Sequence, residues 1–235
     1  MRARPVRPST LSKASRKPAA PFQCRLVVMV KAPHMGRVKT RLAREAGGGE
    51  AVRFYRHTVQ AVLGRLWRDP RWRTQLSVAP DSAITNPFWP KGVERHRQGS
   101  GDLGRRMQRI MDDAGPGPVI IIGTDIPAIR ASDIARAFAV LKTHDAVLGA
   151  TPDGGYWLAG LKRCPRVVRP FENVRWSTVH AFDDTAANFK HLPLGLGAAT
   201  TLSDVDNKAD LHACLSWFGR RILPSPTIMT PGTSR

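Results

Sequence analysis

The chain is poor in cysteine, has no long apolar run, and carries no acidic side chain before Glu45. Its three cysteines, Cys24, Cys164 and Cys214, stand far apart with no C-x-x-C pair. That pattern argues against a disulfide framework or a zinc finger and fits a reducing, cytoplasmic setting. The seven histidines are dispersed, with no H-x-x-x-H spacing to suggest a zinc site. Apolar runs such as Leu26–Val30 and Val119–Ile122 do not exceed five residues, far short of the ~20 a membrane span needs. No membrane span is expected, and the N-terminus shows no apolar core of a secretory signal.

What is present is a globular composition: 235 residues, 42% of them hydrophobic, enough for one domain with a sizeable core. The net charge of +19 divides unevenly. Residues 1–44 hold 12 Lys and Arg and no acid, whereas the rest holds 25 basic and 18 acidic side chains. Most of the excess therefore lies in a tail and the first loop, and a specific nucleic-acid partner is not expected. Nucleic-acid binding driven by this charge is kept as the last of three functional readings. Residues 1–21 read as a disordered basic tail, which also resembles an organellar transit peptide or the product of an upstream start codon. Residues 219–235 read as a second disordered tail, leaving 22–218 as the folded domain.

Within that domain apolar runs and helical stripes alternate. Residues 25–30, 75–79, 119–122, 145–149 and 156–161 read as strands. Helices are expected over 50–67, 102–114, from Ser132 as N-cap through Leu141, over 178–189 and over 207–218. The alternation predicts a mostly parallel sheet covered on both faces, with ligands beyond the carboxyl ends of its strands.

Four segments at strand ends carry candidate chemistry. Lys31-Ala32-Pro33-His34-Met35-Gly36-Arg37-Val38-Lys39-Thr40-Arg41-Leu42 follows the first strand. Its cations and a helix start suit phosphates, although it is no Walker A loop and also reads as a solvated basic turn. Asp125 stands just past Val119–Ile122, where a carboxylate shares Mg2+ or Mn2+ with substrate phosphates or simply caps a turn. Asp204 and Asp206, two residues apart in an extended piece, face one way and reach one cation, or Asp206 caps the next helix. Asp153-Gly154-Gly155-Tyr156-Trp157 is a sugar-facing turn or a tight hairpin with core aromatics. Gly99-Ser100-Gly101-Asp102-Leu103-Gly104 imitates a dinucleotide fingerprint, but the polar residues 91–98 before it do not read as a strand.

Six motifs in order, Val-x-Lys-Ala-Pro-x-x-Gly-Arg-Val-Lys-Thr-Arg-Leu, Gln-Gly-x-Gly-Asp-Leu-Gly, Gly-Thr-Asp-x-Pro, Asp-Gly-Gly-Tyr-Trp-Leu-x-Gly-Leu, Trp-Ser-Thr and Asp-Val-Asp, resemble the selenodomain-associated transferase family. That family is placed in the GT-A glycosyltransferase superfamily beside the molybdenum-cofactor and phospholactate guanylyltransferases. The resemblance spans residues 25 to about 215; Ile126 and Ile129 depart from its Gly-Thr-Asp-Cys-Pro-Asp-Leu pattern. It implies a three-layer α/β/α sandwich of the nucleotide-diphospho-sugar transferase type. It further implies nucleotide and phosphate binding by Lys31, Ala32, Pro33, Gly36, Arg37, Lys39, Thr40 and Arg41. Metal binding falls to Asp125, Asp204 and Asp206, with Mg2+ or Mn2+ as the cofactor. Asp153, Gly154, Gly155 and Tyr156 would line a sugar or acceptor pocket walled by Trp176, Ser177 and Thr178, and Asp125, Lys39 and Asp153 would be catalytic. The expected activity is metal-dependent transfer of a sugar from a nucleoside-diphosphate sugar to an acceptor. The alternative is a nucleotidyltransferase that joins a nucleoside triphosphate to a small phosphorylated substrate.

Overall fold

A computed structural model describes residues 23–163, 168–192 and 194–218. Both expected tails and Cys164 lie outside the described residues. The sheet has seven strands: β1 (Arg25–Lys31), β2 (Arg73–Ala79), β3 (Glu94–Arg97), β4 (Val119–Ile122), β5 (Ala146–Ala150), β6 (Tyr156–Leu161) and β7 (Leu196–Ala198). Their order across the sheet is β3-β2-β1-β4-β6-β5-β7. Among the described strands β6 alone runs antiparallel to its neighbours.

Strand pleating sends alternate side chains to opposite faces. Leu26, Val28 and Val30 of β1 and Ile120 and Ile122 of β4 point into one core, while Val27 and Ile121 point into the other. The first core is covered by α2 (Gly48–Leu66) and α4 (Ala131–Thr143) through Val59, Val62, Leu66, Ile134, Phe138 and Leu141. The second is covered by α3 (Leu103–Asp113) and α5 (Ala181–His191) through Met107, Met111 and Phe189. A third cluster joins α1 (Thr40–Ala46) to α2 and α6 (Lys208–Phe218) through Leu42, Phe54 and Leu211. The result is the three-layer α/β/α sandwich.

Several expectations are corrected. The polar stretch before Gly99 does contain a strand, β3, which is an edge strand with no buried residue and so lacks an apolar signature. The helix after Pro127 is capped at Arg130, not Ser132; the Asp133 carboxylate accepts the Arg130 backbone N–H at 2.8 Å. Asp206 does not cap α6. Asn207 does so, its side chain accepting from the Asp210 N–H at 2.9 Å. The Asp210 carboxylate in turn accepts the backbone N–H groups of Asp206 (2.9 Å) and Asn207 (3.2 Å), so the Asp206 side chain is left for other partners. The helix start expected beyond the basic loop is that of the short α1, whereas β7 lies outside the expected set.

Candidate functional site

The chain leaves β1 toward β2 and β3 on one side, then crosses back to β4 on the other. In an open α/β sheet such a reversal leaves a crevice beyond the carboxyl ends of the strands. A cavity of about 560 Å3 lies there, lined from the ends of β1, β2 and β4. Because β6 runs the opposite way, its first residues, Tyr156 and Trp157, reach the same edge.

Lys39 stands at the centre. Its side chain is only 4% exposed, and its Nζ donates to Asp206 Oδ1 at 2.8 Å and lies 3.5 Å from Asp125 Oδ1. Residues far apart in sequence are thus joined: Lys39 follows β1, Asp125 follows β4, and Asp206 ends the segment after β7. Arg41 approaches the other Asp206 oxygen at 3.5 Å from a largely exposed position. Burial pulls the Lys39 ammonium down, but the carboxylates of Asp125, Asp206 and Asp204 outweigh it and hold its pKa above the usual lysine value. Burial, and then the neighbouring Asp206, push the Asp204 carboxyl up; Lys39 opposes this and Asp153 adds to it. The segment bearing both acids is tied to the sheet. Ala199 and Leu202 donate to the Leu148 (2.8 Å) and Ala150 (3.2 Å) carbonyls, and Trp157 Nε1 donates to the Thr200 carbonyl at 2.9 Å.

Both tyrosines of the chain line the cavity. The buried Tyr55 hydroxyl donates to the Lys31 carbonyl and accepts from the Lys31 N–H, both at 2.9 Å. β4 ends at Ile122, opposite Val28, so Lys31 has outrun its strand neighbour on that side, and the hydroxyl serves in place of the missing ladder. Burial and the nearby Asp125 charge push the Tyr55 phenol up to about 12.

Of the residues singled out from the sequence, Lys31, Arg37, Lys39, Thr40, Arg41, Asp125, Tyr156 and Asp206 line the cavity together. Ala32, Pro33 and Gly36 belong to the same loop without lining it, Ala32 being fully buried. The helix that follows has only seven residues, and its N-cap, Lys39, makes no side-chain capping bond, so side-chain cations dominate the loop's chemistry. Asp153, Gly154 and Gly155 form a turn beside the cavity. There the Asp153 carboxylate accepts from Thr151 Oγ1 (2.5 Å) and the Gly155 N–H (3.1 Å). Trp176 meets Tyr156 edge-on at 6.1 Å, and Trp176, Ser177, Thr178 and Asp204 do not line the cavity. The segment carrying Trp176 abuts the turn closely. Gly154 has φ +81°, and a Cβ there would come within 2.1 Å of the Val179 carbonyl oxygen.

Residues outside the expected set also line the cavity: Tyr55, Gln98, Leu103 and Arg106. Gln98 is buried; its amide donates to the Ser77 carbonyl at 3.0 Å and its oxygen accepts from Arg106 at 3.3 Å. The Gln-Gly-x-Gly-Asp-Leu-Gly motif was the signal for Gln98 and Leu103, and Arg106 follows it by two residues. It shapes the loop into α3, with Asp102 as N-cap accepting from the Arg105 N–H at 2.8 Å.

Mg2+ characteristically takes one or two carboxylates and fills its shell with water and substrate phosphate. Asp125 and Asp206 converge on one cationic point, held by the Lys39 ammonium, and that donor set fits such an ion. Among the described residues no group of three or more His, Cys, Asp or Glu side chains is arranged to hold a metal alone. No helix among them is long and apolar enough to cross a membrane.

The chain is similar to a protein from Desulfovibrio desulfuricans G20 named as a candidate nucleotide-diphospho-sugar transferase. The two are 27% identical, the match covers 84% of this chain and 90% of that one, and the TM-score is 0.78. Two weaker likenesses show the fold alone. One is 4-diphosphocytidyl-2C-methyl-D-erythritol synthase from Anaerococcus prevotii DSM 20548, at 9% identity, TM-score 0.57, covering 84% of this chain and 98% of that. The other is CMP:2-keto-3-deoxy-manno-octonic acid synthetase complexed with CTP, at 11% identity, TM-score 0.53, covering 83% and 98%. No curated protein matches by sequence. A family profile matches residues 61–178, about half of the chain, including Asp125, Asp153 and Trp176 but not the Lys39 loop or Asp206. The chain belongs to the family described as uncharacterized protein conserved in bacteria (DUF2064).

Proposed function

We propose that the protein is a nucleotide-dependent transferase that moves a sugar from a nucleoside-diphosphate sugar to an acceptor, as the selenodomain-associated transferases it resembles are expected to do. The observation that carries this reading is the meeting of buried Lys39 with Asp125 and Asp206 at the carboxyl ends of β1 and β4. The cavity's volume of about 560 Å3 lies within the usual range for small-molecule sites. The name carried by the D. desulfuricans protein, at 27% identity, points the same way.

In this reading Arg37, Lys39 and Arg41 bind the diphosphate. As the sugar's bond to the terminal phosphate oxygen breaks and its bond to the acceptor forms, negative charge builds on the leaving diphosphate, and these cations, once on the phosphates, stabilise it. Asp125 and Asp206, with Asp204 beside them, would hold Mg2+ or Mn2+, which supplies Lewis-acid stabilisation of phosphate oxygens when bound. Asp153, Gly154, Gly155 and Tyr156, backed by Trp176, Ser177 and Thr178, would meet the sugar or acceptor, and Asp153 would take the proton from the acceptor. Gln98 and Arg106 would contact the nucleotide from the α3 side.

A second reading, nucleotidyl transfer from a nucleoside triphosphate, is favoured by the charge of the lining. Lys31, Arg37, Lys39, Arg41 and Arg106 face the cavity against Asp125 and Asp206, a surplus that suits a triphosphate. Incubation with panels of nucleoside-diphosphate sugars and nucleoside triphosphates plus Mg2+ or Mn2+, followed by phosphorus NMR, separates the two. Release of a nucleoside diphosphate from a sugar donor supports glycosyl transfer, and pyrophosphate from a triphosphate selects nucleotidyl transfer. Neither product from any donor, with cell extract added to supply acceptors, overturns both.

A further inference from the structure

The position of Lys39 raises a question that the transfer reaction does not answer: how a divalent ion reaches carboxylates that already hold a cation. The Lys39 ammonium sits 2.8 Å from Asp206 Oδ1 and 3.5 Å from Asp125 Oδ1, and its side chain is nearly sealed from solvent. A divalent ion bound to the same oxygens would stand about 2 Å from each. The ammonium and the ion would then share one space between two carboxylates and repel each other strongly. Lys39 also has a left-handed backbone, φ 46° and ψ 50°, which a non-glycine residue keeps only when its surroundings impose it. The two ion pairs are such a constraint. Beside it the same cavity presents Arg37, Arg41 and Lys31, which can gather phosphates and so offer the ammonium a new anionic partner.

We propose that Lys39 is the resident counter-ion of the Asp125–Asp206 pair and excludes divalent metal until nucleotide phosphates draw it away. Metal loading is thereby conditional on nucleotide. This rests on the proposed nucleotide site for what moves Lys39, but not for what Lys39 blocks. A bare divalent ion meets a filled site. A nucleotide brings its own anionic oxygens, takes the ammonium onto them and leaves both carboxylates to the metal, so nucleotide and metal bind cooperatively.

The test is Mn2+ binding to nucleotide-free protein, read by the free-ion electron paramagnetic resonance signal. Wild type is expected to bind Mn2+ weakly, and Lys39→Met and Lys39→Gln to bind one ion at least about tenfold more tightly, because a competing positive charge is gone. Adding Asp125→Asn to Lys39→Met should remove that gain. Wild type that binds Mn2+ as tightly as the folded variants, or that binds it tightly by itself, overturns the proposal even if the variants fail to fold. Calorimetric titration of wild type with nucleoside diphosphates, without metal, runs alongside. Nucleotide binding with no gain of Mn2+ affinity in the Lys39 variants sinks the counter-ion role alone. A gain of Mn2+ affinity without any nucleotide binding sustains the block and sinks the nucleotide reading.

Discussion

Replacing Tyr55 by Phe removes one oxygen and asks how much the cavity depends on it. The hydroxyl satisfies both the N–H and the carbonyl of Lys31 at 2.9 Å, at the point where β1 extends past the end of β4. Without it a donor and an acceptor beside the buried ring lose their partner. Leaving such groups unmet costs about 1–3 kcal/mol, with the lower end applying if water enters from the cavity. For a domain of this size each kcal/mol lowers the melting temperature by roughly 2–4 °C, so a fall of about 2–12 °C is expected. The ring still fills its place in the core, so no cavity cost is added. The pH dependence gives an independent check. The phenol is held up to about 12 by burial and by Asp125, above the ordinary tyrosine value of 10.0. Between those values the unfolded chain loses this proton while the folded protein keeps it, so its contribution is complete below pH 10 and is lost as pH rises toward 12. The gap between wild type and Tyr55→Phe should therefore be constant near neutrality and narrow above pH 10. Thermal melting followed by circular dichroism reads both effects. A Tyr55→Phe protein that melts within about 1 °C of wild type at pH 7 would show that Lys31 does not depend on the hydroxyl.

Other perturbations test other links. Asp125→Asn keeps the shape of the loop but removes a carboxylate from the Lys39 centre. Turnover should fall about 100-fold or more while the fold survives, and near-normal turnover would remove Asp125 from the proposed chemistry. Gly154→Ala puts a methyl group against the Val179 carbonyl at a left-handed position, which should cost on the order of 1–3 kcal/mol; an unchanged denaturant midpoint contradicts the described packing. Asp184, held by three hydrogen bonds from Arg175, has its carboxyl lowered to about 2, chiefly by the Arg175 guanidinium. Its contribution is present above the ordinary carboxylate range and is lost as pH falls toward 2, so Asp184→Asn should lower the melting temperature at pH 7 and not at pH 2. A deficit that persists unchanged into acid would show that the pair is not its source.

Much of the fold was legible because buried strands of a parallel sheet write continuous apolar runs. β4 and β6 were read to the residue, and β1 to within one. β3 was missed for the same physical reason in reverse: Glu94-Arg95-His96-Arg97 lies at the sheet edge, buries nothing and shows no apolar pattern. The reversed direction of β6 was also invisible, since strand polarity is set by connections and packing. Yet that reversal is what brings Tyr156 and Trp157 to the cavity. At the candidate site, Lys39, Asp125 and Asp206 were each noticed because each stands at a strand or helix end. That the three converge follows only from the crossover that sets β1 beside β4. Asp206 looked like a helix cap because Asn207, one residue later, competes for the same role on local grounds. Tyr55 falls among the buried residues of the amphipathic α2, and nothing local distinguishes a buried ring from a ring whose hydroxyl completes a sheet.

We propose above all that the cavity at the ends of β1 and β4 is a nucleotide site. Thermal stability measured against nucleoside-diphosphate sugars and nucleoside triphosphates, each with Mn2+ or Mg2+, tests it most directly. A nucleotide present at about 100 times its dissociation constant should stabilise the protein by about 2.7 kcal/mol, several degrees of melting temperature. Such a shift is expected for at least one nucleotide, together with its loss in Lys39→Met. No shift with any nucleotide, or a shift that Lys39→Met retains in full, would contradict the proposal.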